Sequence, residues 1–207
     1  MAEAPAASER PRIVYSDKGP EAPYPLQMEG EVISGFGRGS KELGIPTANL
    51  PVDESQISWI ADITSGVYFG YAALRLPANH PDIPAASSSS TTNGDSSSST
   101  TKYHIFPMVM SIGYNPFYNN SKRSAEVHIL HKFAQDFYGT PMRLLLLGFV
   151  REEKNYAGVE ALIEDINIDC EVARRSLDRP AWTPREGVVG AGTGTLDGSW
   201  LVREDKA

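Results

Sequence analysis

The 207-residue chain has one cysteine, Cys170, which excludes an internal disulfide and any cysteine-rich zinc site. It has no long hydrophobic run. The most apolar stretch, Leu144 to Val150, is seven residues, against the ~20 that a membrane-spanning helix needs. Basic residues are also in short supply, 19 Lys and Arg against 26 Asp and Glu, giving a net charge of −7 and arguing against a general nucleic-acid binder. Several catalytic patterns are missing. No Walker A loop, HExxH or GxSxG is present, and no βαβ unit surrounds the glycines that might suggest a dinucleotide fold. The N-terminus has no apolar core of a signal peptide, and Glu3 and Glu9 weaken a transit-peptide reading. A soluble chain is expected, cytoplasmic in location, with mitochondrial association left open.

What is present divides the chain. Residues 1–25, rich in Ala and Pro, read as an irregular surface arm. Residues 85–101 hold eight Ser and four Thr, too little apolar area to offset ordering entropy, and read as a disordered loop. Residues 180–207 read as a loose, glycine-rich tail that Trp182, Trp200, Leu201 and Val202 could dock. Between these lie strands. Met28–Phe36 runs into a glycine cluster. Gly66–Leu76 places Val67, Phe69, Tyr71 and Ala73 on one face, the period of two of a strand. Tyr103–Ile112, Ser124–His131 and Met142–Val150 follow, and the Ser/Thr stretch falls in the hairpin between the second and third of these runs, where loop length costs little. Leu162, Ile163, Ile166, Cys170, Ala173 and Leu177 recur at spacings of three and four from Val159 onward, predicting a helix that Pro180 stops, with Arg174, Arg175 and Arg179 in its last turn. Cys170 on that stripe reads as core. Antiparallel strands followed by one helix predict a closed barrel with a packed helix.

Four glycines between Gly35 and Gly44, with Arg38 and Lys41 among them, can form an anion-binding nest or simply a glycine-rich hairpin. In Pro46-Thr47-Ala48-Asn49, an extended backbone turns Thr47 and Asn49 to one side. Their neutral oxygens suit Mg²⁺ when a nucleotide supplies negative charge, or they cap a turn. Glu126 sits mid-strand with Lys122 and Arg123 nearby, as a proton acceptor or as a solvated strand residue. His128 and His131 face opposite sides of a strand, which argues against a metal pair. Asn115–Tyr118 and Arg151–Tyr156 are aromatic, charged loops, able to border a flat ligand or to pack a ring.

Taken together, GEVISGFGRGSKELGIPTAN at 30–49, GVYFGYA at 66–72, MSIGYNPFY at 110–118, AEVHILHKFAQDFYG at 125–139 and VREEKNY at 150–156 resemble the riboflavin kinase family, in the family's order, over residues 29–177. The resemblance implies a mainly β fold, a six-stranded antiparallel Greek-key β-barrel with a C-terminal α-helix, over residues 26–179. It implies transfer of the γ-phosphate of ATP to the 5′-hydroxyl of riboflavin. By matching motif positions, Thr47 and Asn49 would contact Mg²⁺ (Zn²⁺ or Mn²⁺ as alternatives) and ATP phosphate, Gly35 and Lys41 would belong to the nucleotide loop, and Glu126 would be the base. Ile129, His131 and Tyr138 would line the ATP site, and Arg151, Lys154 and Tyr156 a riboflavin-side loop. The expected partners are riboflavin and ATP, with no nucleic acid, no membrane insertion and a monomeric state. The rival is a non-catalytic β-barrel binding module, for which Glu126 with Thr47 and Asn49 would be unneeded. A bifunctional enzyme that also makes FAD would need a further domain ahead of the barrel, for which 28 residues are too few.

Overall fold

The computed structural model describes residues 10–34, 44–77, 80–83, 102–114, 123–186 and 194–204. Six strands are present: β1 (Leu26–Glu31), β2 (Ala48–Leu50), β3 (Gly66–Leu74), β4 (His104–Tyr114), β5 (Arg123–Ile129) and β6 (Pro141–Glu152). They form one antiparallel sheet in the order β1-β6-β3-β4-β5-β2. The sheet curls so that its two edges approach, and Ile33, just beyond β1, bridges to Asn49 of β2 through a 2.8 Å backbone hydrogen bond. Helix α1 (Val159–Leu177) and the short α2 (Ser199–Val202) follow. This is the mainly β architecture that the strand pattern and the family resemblance both imply. The β3–β4 hairpin pairs Leu74 with His104, so the Ser/Thr-rich stretch does fall within its loop. That stretch, Asn115–Tyr118, and the glycine-loop residues Gly35 and Lys41 lie outside the described residues.

Both faces of the sheet are buried. The inner face encloses Met28, Leu50, Tyr68, Ala72, Leu74, Met110, Val127 and Leu146. The outer face carries Phe69, Tyr71, Ala73, Val109, Leu145 and Leu147 against Cys170, Ala173 and Leu177 of α1, with Trp182 and Leu201 of the tail. Strand β3 therefore alternates between two cores, and the face read from the sequence (Val67, Phe69, Tyr71, Ala73) is the outer one. Cys170 is buried, and burial pushes its thiol up to about 11, the behaviour of an unreactive core thiol. Arg179 lies past the last helical residue; it donates to the carbonyl of Ser176 in the last turn of α1 and to those of Val14 and Tyr15 in the arm. Among the described residues, no helix is long and apolar enough to cross a membrane.

The two appendages meet on this outer face. Residues 10–25 form no helix or strand, yet they are anchored. Trp182 Nε1 donates to Ser16 O at 2.9 Å, and its ring stacks on Phe69 and tilts against Tyr15. The Tyr15 hydroxyl accepts from the Phe149 N–H at 2.8 Å. This approach depends on Gly148, where a Cβ would stand 2.5 Å from the rings of both Phe69 and Tyr15.

Candidate active site

Residues directly opposed in a β ladder project to the same side. The register places Asn49 opposite Glu126, Glu126 opposite Ser111, Ser111 opposite Val67, and Val67 opposite Arg151. Five strands thus line up one transverse row on the outer face. Arg151 joins it through a bulge. Tyr68 faces Phe149 while Val67 faces Arg151, so Val150 is the extra residue and the row receives a guanidinium rather than a methyl group.

One cavity opens along this row and a second lies beside it. The first, of about 710 Å³, is lined by Thr47, Ser111, Glu126, His128, Arg151, Lys154 and Tyr156, with Leu162, Ile166 and Asp169 of α1 above. The other, of about 770 Å³, is lined by Thr47, His128, Ile129, His131, Phe133 and Tyr138, with Arg174 at its edge. Thr47 and His128 border both. The structure therefore brings Glu126, Arg151, Lys154 and Tyr156 to one cavity and Ile129, His131 and Tyr138 to its neighbour, with Thr47 on the common wall. Asn49 lines neither, but stands in the row beside Glu126.

His128 is the residue that the sequence reading passed over, having weighed it only as half of a metal pair. The signal was available: it follows Glu126 by two on a strand and so shares its face. Its Nδ1 lies 2.8 Å from Pro46 O. A carbonyl only accepts, so Nδ1 carries the proton. Burial lowers the pKa of the ring, the carbonyl opposes this and the Arg174 charge adds to it, so the ring stays neutral at pH 7. The bond fixes the turn that presents Thr47. His131 points elsewhere, to Asp82 Oδ1 at 3.5 Å and against Phe106 and Phe133. No cluster of three or more His, Cys, Asp or Glu able to hold a metal exists among the described residues.

A hard cation would here need neutral oxygens and phosphate. Asn49 meets the first condition. The residue is 4% exposed and its Oδ1 is buried with no hydrogen-bond partner among the described residues. Such an orphaned carbonyl is rare in folded proteins and is well suited to an oxygen-seeking ion.

The 151–156 segment is fastened to α1 rather than free. Arg151 donates to Asp169 through Nε at 3.0 Å and Nη2 at 2.7 Å. Lys154 Nζ and Tyr156 Oη both donate to Asp165 Oδ2, at 2.9 and 2.8 Å. Burial alone would raise the Asp165 carboxyl. Hydrogen bonds from Lys154, Tyr156 and Arg10, with the Arg151 charge, outweigh it and bring the pKa down to about 2. The Tyr156 hydroxyl is raised, first by burial and then by its bond to Asp165. Gly113 admits the loop, since a Cβ there would stand 2.2 Å from Glu153 Oε1.

Comparison with known proteins identifies the family. The family model for riboflavin kinase (Flavokinase) matches residues 22–177. The chain is 62% identical to a riboflavin kinase of Pyricularia oryzae, over 95% of this chain and 96% of that one. It is 58% identical to a riboflavin kinase of Chaetomium globosum, over 95% and 94%. The crystal structure of riboflavin kinase from Trypanosoma brucei shares the fold, with a TM-score of 0.53 and 22% identity over 77% of this chain and 84% of that one.

Proposed function

Since the chain belongs to the riboflavin kinase family and is a riboflavin kinase, we propose which of its residues perform the phosphate transfer. The observation that carries the assignment is the common wall. Two cavities of substrate size share Thr47 and His128, and a carboxylate, Glu126, stands in one of them. Riboflavin occupies the cavity bordered by Arg151, Lys154 and Tyr156. ATP occupies the other, with its base among Ile129, His131 and Tyr138 and its phosphates directed at Thr47. Gly35 and Lys41 belong to the nucleotide loop by their motif positions.

Phosphoryl transfer asks little covalent chemistry of a protein, and positioning with charge stabilisation dominates. Glu126 orients the 5′-hydroxyl and accepts its proton as the oxygen bonds to the γ-phosphorus and the bond to the β-phosphate oxygen breaks, giving FMN and ADP. The neutral His128 ring adds no charge to the wall and holds the Pro46–Thr47 turn in place. Thr47 and Asn49 present neutral oxygens on the phosphate side and would hold the divalent cation, Mg²⁺ by donor type. When bound, that cation neutralises phosphate charge. The Tyr156 ring offers a flat face to the isoalloxazine, and Arg151 and Lys154 border it. Across residues 119–159, six basic side chains against four acidic ones reverse the sign of the whole chain, which suits anionic ligands.

Incubation with riboflavin, Mg²⁺ and ATP, followed by chromatography for FMN, reads the activity. Glu126→Gln is expected to lower kcat by roughly 10²–10⁴-fold, the range of a general base, with riboflavin binding retained. A variant with the parental kcat removes Glu126 from this role.

A further inference from the structure

Helix α1 buries two carboxylates one turn apart, Asp165 at 2% and Asp169 at 1% exposure. Like charges at this spacing repel, and a buried charge needs partners. The end of β6 supplies Arg151, and the loop after it Lys154 and Tyr156. The third cation comes from the other end of the chain. Arg10 donates through Nη1 to Asp165 Oδ1 at 2.8 Å and through Nη2 to Asp169 Oδ1, and its side chain is only 8% exposed. Arg10 lines neither cavity, and it precedes the residues that the family model matches.

The oxygens are divided among the donors. Arg10 takes Oδ1 of Asp165, leaving Oδ2 to Lys154 and Tyr156. On Asp169 it shares Oδ1 with Arg151, whose remaining bonds go to Oδ2. Arg151 Nε already lies 3.7 Å from Asp165 Oδ2. Without Arg10, Asp165 Oδ1 loses its donor, and the cations beside the same carboxylate that can turn toward it are Lys154 and Arg151, 2.9 and 3.7 Å from Oδ2. Any such turn displaces the side chains that border the riboflavin cavity. We infer that Arg10 is a positioning residue for riboflavin: it holds the aspartate pair so that Arg151, Lys154 and Tyr156 keep their places. This rests on the assignment of the 151–156 loop to riboflavin. The nucleotide cavity, on the other side of Thr47 and His128, is untouched by the network.

The test is steady-state kinetics on the full-length enzyme, varying riboflavin and Mg·ATP separately, with a thermal melt for each variant. Arg10→Ala should raise the KM for riboflavin about tenfold, as a small misplacement of positioning groups does, and leave the KM for Mg·ATP within about twofold. Arg10→Lys should recover part of the loss, because an ammonium keeps the charge but lacks the planar fork that spans both carboxylates. A general loss of structure would move both KM values together, and that result overturns the inference. So does a riboflavin KM that does not change. If Arg10→Ala does not fold, the same split is read on Arg10→Lys, and its absence there is equally decisive. Tyr156→Leu separates the two assignments. If riboflavin binding, followed by flavin fluorescence, survives that change, the loop assignment itself fails. If Tyr156→Leu weakens it and Arg10→Ala does not, only the role of Arg10 fails.

Discussion

Replacing Asn49 by leucine should make the ligand-free protein more stable and the enzyme inactive. The orphaned Oδ1 lies buried in β2 and receives no hydrogen bond from the described residues. Leaving a buried polar group unpaired costs about 1–3 kcal/mol, and an apolar group of similar branching removes that cost. The backbone of residue 49 would keep its bond to Ile33 and its pairing with Glu126, since neither uses the side chain. For a domain of this size a gain of about 2 kcal/mol corresponds to a rise in Tm of roughly 4–8 °C. The assay is a thermal melt followed by circular dichroism, with EDTA and then with Mg·ADP. The parent should gain stability with Mg·ADP by mass action. Asn49→Leu should start higher in EDTA and gain less. A variant destabilised in EDTA, or one that responds to Mg·ADP as the parent does, would refute the reading of Oδ1 as a ligand atom awaiting its ion.

Other outcomes follow from the same geometry. Thr47→Ala should weaken Mg·ATP binding more than riboflavin binding by calorimetric titration; equal losses would count against its place on the phosphate side. Trp182→Ala should cost about 3–5 kcal/mol in urea unfolding, because the ring is fully buried between the arm and β3. Gly148→Ala should cost about 1–3 kcal/mol by forcing Phe69 and Tyr15 aside, and an unchanged urea midpoint would show that they yield freely. The Asp165 carboxyl falls from an ordinary 3.8 to about 2 in the folded chain. Its contribution is therefore present above the unfolded value and lost as the pH falls through the folded one. The urea midpoint of the parent should drop more steeply over that acid window than that of Asp165→Asn, and parallel profiles would contradict the network.

Five of the six described strands were legible because their period survives, whereas β2, three residues long, is too short to show one. Val67, Phe69, Tyr71 and Ala73 alternate with Tyr68, Ala72 and Leu74, and both sets are buried, one against the helix and one inside the curl. The helix was legible over its full length, Val159–Leu177, from its apolar spacing. Its two buried aspartates were not, since a carboxylate in a helical stripe reads as solvated until its cations, 155 positions earlier in the case of Arg10, are seen folded against it. The site divides the same way. Glu126 and Thr47 were found from local motifs, and Arg151 from a charged loop. The row that aligns Glu126 with Asn49 and Arg151 depends on strand register and on the bulge at Val150, neither of which leaves a local mark in the sequence. His128 was within reach, two residues from Glu126, but its role needs Pro46 across the cavity wall.

The anchoring of the arm also sets an order of events during synthesis. Arg10, Tyr15 and Ser16 emerge first from the ribosome, and they bind Asp165, Phe149 and Trp182. Translation delivers residues at about 5–20 per second, so these early side chains wait several seconds for their partners. The curled sheet can close around its inner core before then. The cavity beside α1 cannot, because Leu162, Ile166 and Asp169 of that helix line it and Arg10 is fastened to the same helix. A nascent chain truncated before α1 would therefore carry Glu126 and Arg151 in a wall that still lacks Leu162, Ile166 and Asp169 opposite them.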